Sequence, residues 1–470
     1  MDADIAVQPV PARTLGEIHS LDDLPEAFTR FLTSTRRHLH QHPEVGFKEK
    51  DTSALIRETL ESYGLEVHGP LAGTGLYVDI NGQGPGHSIG YRADIDALPQ
   101  QDGKHVPYAS MRSGVAHLCG HDAHTSVGIG VALLLHALRD RFNGTVRVFF
   151  QPNEEGTPSG APRMIQDGVL EGLEAVYAIH VDPTLELGRF GLVEGAATAS
   201  ADRFTITLEA PSSGHSARPH ESVDTLWVTT QVLNTLYQLV GRVSDPRLPA
   251  VFTPTWIRAG DAYNVIPHEL RLGGTLRCQS LADRDQLIRK IKQIATQTAG
   301  IHGASVEVKL ETGSPPVIND SELIDNVRRS IREQSGDSAI YEIELSSMGG
   351  EDFAHYLSHV PGALIRIGTA SGPETRYPLH DSNFDIDERA LVPAARLMTH
   401  ALMRHLEQSP LHYSRNPASA VATHTRVREI TRYHGKQVHL GGCDGACTQE
   451  DGDDCIYGRA GAWPDARLGC

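Results

Sequence analysis

Cysteine is scarce in most of this chain. Of six cysteines in 470 residues, only Cys119 and Cys278 precede the C-terminal stretch that holds Cys443, Cys447, Cys455 and Cys470. That distribution excludes a disulfide framework for the main body and makes a reducing cytosol the expected compartment. Basic charge is also short. Lys and Arg number 42 against 59 Asp and Glu, a formal net charge of -17. Such a balance argues against a nucleic-acid or anionic-membrane partner. No apolar run is long enough to cross a bilayer; the longest lies around Val127 to Leu138. Met1 to Thr14 lacks a basic region followed by an apolar one, so no signal peptide is expected. No internal repeat is visible. At this length one core is too small, and two domains or a large insertion are expected.

What is present reads as an α/β domain interrupted by a second one. Residues 1–20 contain Pro9 and Pro11 and no clear period, and read as a flexible leader. Helical spacing runs from Leu24 to Gln41, stopped by Pro43, and again from Lys50 to Tyr63. Strands are expected at 75–80, 87–95, 145–151 and 175–181, with helices at 125–139 and 161–167 between them. Alternating helices and buried strands predict a mostly parallel sheet. After about residue 199 the order becomes β-α-β-β-α-β, that of a ferredoxin-like domain. The first pattern resumes with helices at 321–334 and 351–357, a strand at 363–368 and a helix at 386–406. The expected layout is therefore a catalytic α/β domain over 21–198 and 311–408, an insertion over 199–310, and a Cys-containing tail over 409–470. Thiolates select zinc, but the tail's spacings match no paired Cys-x-x-Cys knuckle, so disorder is its favoured reading.

The densest chemistry lies in His117-Leu118-Cys119-Gly120-His121-Asp122-Ala123-His124. Imidazole and thiolate both bind borderline-soft divalent metals. On extended backbone, Cys119 and His121 would point the same way. Glu154-Glu155 follows a predicted strand, at the sheet edge where open α/β folds place ligands. One carboxylate of such a pair can hold metal while the other takes a proton from water; equally, the pair can simply open a helix. His180 and His380, taken singly, are ordinary. Asp94, Asp96 and Asp122 are suited either to orienting ligand histidines or to capping turns.

The order of these pieces resembles the amidohydrolase branch of the di-metal aminoacylase/carboxypeptidase family, which includes hippurate, N-acyl-amino-acid and auxin-conjugate hydrolases. The matching stretches are Arg36-Arg37-His38-Leu39-His40-Gln41-His42-Pro43-Glu44, Arg92-Ala93-Asp94-Ile95-Asp96-Ala97-Leu98-Pro99, Cys119-Gly120-His121-Asp122-Ala123-His124 and Gln151-Pro152-Asn153-Glu154-Glu155. Gly214-His215-Ser216-Ala217-Arg218-Pro219-His220, Asn264-Val265-Ile266-Pro267, Gly350-Glu351-Asp352-Phe353 and Leu379-His380 complete the set over about residues 25–408. The resemblance implies metal ligands at Cys119, His121, Glu155, His180 and His380, and a general base at Glu154. It implies that His215 stabilises an oxyanion in a partner subunit's site, and that Asn264 and Arg277 lie near a substrate carboxylate. Two divalent ions, zinc, manganese or similar, and a homodimer formed through residues 199–310 are likewise implied. Leu118, Asn153 and Ser213 depart from the usual pattern without removing a ligand or the base. The expected activity is hydrolysis of small N-acyl amino acids. A dipeptidase or carboxypeptidase is the alternative, and a non-catalytic metal-binding protein is the reading from another class.

Overall fold

The computed structural model describes residues 4–407. The Cys-containing tail, with its disorder and zinc readings, lies outside the described residues. An eight-stranded sheet forms the larger body. Its strands run in the order Val67–Leu71, Gly75–Asn81, Thr145–Gln151, Ser88–Asp94, Ala175–Glu186, Gly362–Ala370, Phe190–Leu192 and Ile340–Glu342. The central strands pair in parallel and are almost wholly buried. This is what helices on both faces demand of a parallel sheet. Antiparallel pairings appear towards both edges, but four of the seven pairings are parallel, the mostly parallel sheet expected. The strand Val67–Leu71 is not predicted from sequence, because Gly69 and Pro70 read as turn residues.

The helix His121–Ala137 is buried nearly all round. It packs against Ser88–Asp94, Glu26–Gln41 and Leu391–Glu407, which explains its apolar composition without a membrane. Among the described residues no helix is long and apolar enough to cross one. The segment expected as a flexible leader is tied to the body by backbone hydrogen bonds from Ile5 and Gln8 and is packed into the core from Val10. Val10, Leu15 and Ile18 join the main core, Ala12–Gly16 forms a short helix, and the Val10 carbonyl accepts from Tyr63 Oη at 2.8 Å. Three apolar side chains spaced irregularly carry no period, so the sequence hides their burial.

The inserted segment forms a four-stranded antiparallel sheet, in the order Ala250–Ala259, Glu269–Cys278, Asp202–Glu209 and Ser305–Glu311. Helices Thr225–Val243 and Leu281–Ile301 close a core of its own around Phe204, Ile206, Leu236, Leu272 and Ile291. Asp224 and Ser280 cap them by accepting from Trp227 N and Asp283 N. The expected βαββαβ order is therefore present. Its two connections to the larger body run side by side: Ala201 N donates to Ser314 O at 3.1 Å, and Gly313 N to Asp202 Oδ1 at 3.3 Å. Adjacent ends are what insertion into a folded domain requires.

Candidate metal centre

The site forms at the C-terminal edge of the parallel strands. Cys119 and His121 reach it by a turn, not by the extended backbone expected from their spacing. Gly120 has φ +88 and caps the helix that starts at His121. A Cβ at Gly120 would collide with the Val181 side chain, so conformation and space both call for glycine. The strand Ala175–Glu186 carries His180, and the loop after Thr145–Gln151 carries Glu154 and Glu155. His380 sits at φ +69, held by its N–H on the Leu118 carbonyl at 2.7 Å.

These groups meet. Ligand atoms of Cys119, His121 and His180 lie within 4.8 Å of one another, and so do those of Cys119, Glu155 and His380, and of His121, Glu154 and Glu155. The shared members make one cluster. Cys119 Sγ is 3.6 Å from His180 Nε2, and His380 Nε2 is 3.1 Å from Glu155 Oε1. Two of the ligand atoms, His121 Nε2 and Glu155 Oε1, are buried without a hydrogen bond, Glu155 Oε1 having only its ion-pair contact with His380. Buried polar atoms left so are rare and costly, and a cation would satisfy both. A thiol, three imidazoles and a carboxylate also suit borderline divalent ions. The residues present thus fit a metal centre.

Surrounding hydrogen bonds aim the ligands. His121 Nδ1 faces the Asp96 carbonyl at 3.0 Å, and His180 Nδ1 the Val181 carbonyl at 2.7 Å, leaving each Nε2 for the centre. The Asp96 carboxylate accepts from Glu154 N at 3.0 Å and Glu155 N at 3.1 Å, which fixes the loop bearing both. Asp94 takes His124 Nδ1 at 2.6 Å and Arg92 Nη1 at 2.6 Å, and lies 3.6 Å from His121 Nε2. Asp122 binds elsewhere, to Arg36 Nε at 2.8 Å and His40 Nδ1 at 2.6 Å. It secures the helix Glu26–Gln41 rather than a ligand histidine.

Burial, reinforced by Glu351 and Glu155, pushes the Glu154 carboxyl well above its ordinary range. Burial and Glu155 likewise raise the Cys119 thiol. Burial, with Arg366 and His124, holds His180 well below the usual histidine range, so it is neutral as a ligand must be. For His121 burial works downward, but Asp94 and Cys119 outweigh it and raise the ring's affinity for a proton. Carboxylates and thiol are thus crowded into one place, and a divalent ion would relieve that repulsion.

A profile of Peptidase family M20/M25/M40 matches residues 90–404. This chain belongs to that family. The chain is 34% identical over 379 residues to the N-acetyl-L-cysteine deacetylase of Bacillus subtilis, covering 80% of this chain and 89% of that protein. It is 35% identical over 377 residues to thermostable carboxypeptidase 2 of Saccharolobus solfataricus, covering 79% and 94%. A crystal structure of the Bacillus subtilis YXEP protein, described as a dinuclear metal binding peptidase, superposes with a TM-score of 0.73 at 33% identity, covering 82% of this chain and all of that one. The resemblance read from the motifs is therefore borne out, and the M20 chain is a metal-dependent, amide-hydrolysing enzyme.

The groups expected from the inserted domain of this M20 enzyme make local contacts of their own. His215 is exposed on the short strand Gly214–His215, paired with Val265–Ile266. Asn264 is exposed beside it, its carbonyl accepting from Ser216 N at 3.0 Å. Arg277 is half-buried, and its Nη1 donates to the Met348 carbonyl at 3.1 Å. Sequence reasoning missed a buried network behind the centre. Arg92 donates to Gln151, Asp94, Glu351 and Asp352 at 2.6–3.0 Å. Asp352 N in turn donates to Glu154 Oε1 at 3.2 Å. The signal was Arg92 inside an otherwise largely apolar strand, a charge that rarely survives burial unpaired.

Proposed function

We propose that this M20 enzyme hydrolyses the amide bond of small N-acyl amino acids or related conjugates, with Glu154 as general base. The observation that carries the proposal is the position of Glu154. It shares a tight group with His121 and Glu155, yet Cys119, His121, Glu155, His180 and His380 supply enough ligands without it. Its Oε1 is held by the Asp352 N–H, and burial gives it the raised affinity for a proton that such a role needs. Two divalent cations held by the five ligands would polarise the amide carbonyl and acidify a water. Glu154 takes the proton from that water and delivers it to the leaving amine.

The inserted domain supplies the remaining roles. Ala250–Ala259 is an edge strand with exposed Val251, Trp256 and Ile257, a surface that supports pairing with a second copy. His215, exposed on the inserted domain, would then serve the partner's site by donating to the oxyanion, worth roughly 3–4 kcal/mol per well-placed donor. Asn264 and the guanidinium of Arg277 suit a substrate carboxylate. Similarity to the deacetylase favours the N-acyl amino-acid reading; similarity to the carboxypeptidase supports a second, cleavage of unblocked peptides. A hydrolysis panel on metal-reconstituted enzyme decides between them. Higher kcat/KM on N-acetyl and N-benzoyl amino acids than on free dipeptides supports the proposal, and the opposite ranking replaces it with the second reading.

A further inference from the structure

A second group of metal-ligating side chains lies outside the catalytic centre, where the N-terminal segment crosses the end of the helix Glu26–Gln41. His38 and His42 are four residues apart at the close of that helix, so both rings project from one face. Asp4 approaches them from the N-terminal segment. Ligand atoms of all three lie within 4.8 Å of one another. Asp4 Oδ1 is 2.9 Å from His42 Nε2 and 3.8 Å from His38 Nδ1. The two rings stand with centroids 4.6 Å apart. His38 Nδ1 donates to the Ile5 carbonyl at 2.8 Å, which fixes that ring's orientation and leaves Nε2 as its nitrogen for a cation.

The place has room as well as ligands. A cavity of about 240 Å³ is lined by Asp4, His38, His42, Asp51, Thr52 and apolar neighbours. Asp51 at its rim is paired with Arg112, at 2.5 Å. Both histidine side chains are about three-quarters covered, 26% exposed. The C-terminal end of a helix carries negative partial charge and favours a cation. Two imidazoles and a carboxylate with an open fourth direction are a donor set for zinc and its neighbours, not for calcium or magnesium.

We propose that Asp4, His38 and His42 form a peripheral zinc-class site, separate from the catalytic centre, that clips the N-terminal segment to the helix. Without a cation the segment is held there by the Asp4–His42 contact and by Ile5 N on Gln41 Oε1 at 2.8 Å. A bound cation joins both pieces of chain and so opposes local opening.

The test is a difference measurement on the full chain, because the catalytic ligands and the other cysteine thiols would compete for zinc in every variant alike. Wild type, Asp4→Asn and the double variant His38→Ala/His42→Ala are stripped, loaded with zinc alone, desalted and analysed for metal. Wild type should hold about one equivalent more than either variant, as a single added site predicts. Trypsin provides the second readout, since Arg13 is 91% exposed but lies in the clipped segment. Zinc at about ten times its dissociation constant should slow cleavage after Arg13 about tenfold in wild type, and not in Asp4→Asn. Asp4 is 66% exposed, so this variant does not threaten the fold. Equal zinc content in all three proteins, or cleavage indifferent to zinc in wild type, overturns the proposal and leaves an ordinary ion pair.

Discussion

Replacing Glu154 by Gln separates base chemistry from metal binding. The side chains are nearly isosteric, so no cavity opens. The amide carbonyl of the introduced glutamine can still accept from Asp352 N, which donates to Glu154 Oε1 at 3.2 Å. The five proposed ligands are untouched, and metal content should equal wild type. What is lost is the proton acceptor, and general-base catalysis contributes about 10²–10⁴-fold. At about 1.36 kcal/mol per decade, the barrier should rise by roughly 3–5 kcal/mol. Stability moves the other way. Burial and the neighbouring Glu351 and Glu155 raise the Glu154 carboxyl in the folded chain. A group raised on folding contributes stability below its unfolded pKa and loses it as pH rises through the folded value. Metal-free wild type therefore carries a cost above that pH that the glutamine variant lacks. The assays are kcat on an N-acetyl amino acid, metal analysis of the same sample, and melting of the stripped proteins at pH 8. A kcat within tenfold of wild type, at equal metal content, would refute the assignment of the base.

Other outcomes follow from the same geometry. Arg92→Met leaves Asp94, Glu351 and Asp352 buried without their cation. Breaking such a network costs about 3–5 kcal/mol, to be read by chemical denaturation. Glu49 is fully buried and raised to about 7, by burial first and despite its bond from Thr74. Its contribution is present below the unfolded value near 4.5 and is lost as pH rises through 7. Denaturation midpoints of the stripped protein should therefore fall between about pH 4.5 and 7 in wild type and stay flatter in Glu49→Gln, the full effect reaching roughly 3 kcal/mol. If His215 acts across a dimer, light scattering of wild type gives twice the chain mass, and mixing inactive His215→Ala with inactive Glu154→Gln restores part of the activity. No recovery in co-expressed heterodimers of the two variants would place His215 in its own chain's site.

Local pattern made much of this protein legible. The helix Glu26–Gln41 follows directly from its period, the strand Thr145–Gln151 from its β-branched composition and Glu269–Cys278 from its alternating leucines. The inserted βαββαβ unit was legible because its elements are consecutive and each half-buried. The segment 4–20 was not, because Val10, Leu15 and Ile18 dock on a core assembled from distant parts of the chain. Nor was the helix start at His121, which hangs on the positive φ of Gly120 and the proximity of Val181.

The sequence alone determined the chemical inventory: a cysteine, three histidines and paired glutamates in an order that identifies the family. Tertiary structure alone decided which of those groups meet. His380 joins Glu155 across more than two hundred residues because two loops end at one sheet edge. Asp122, one residue from a ligand, faces away to Arg36 and His40 because a helix turns about 100° per residue. Chain order lists donors, whereas coordination needs them within a few ångströms of one point, and only the packed sheet and its helices impose that distance.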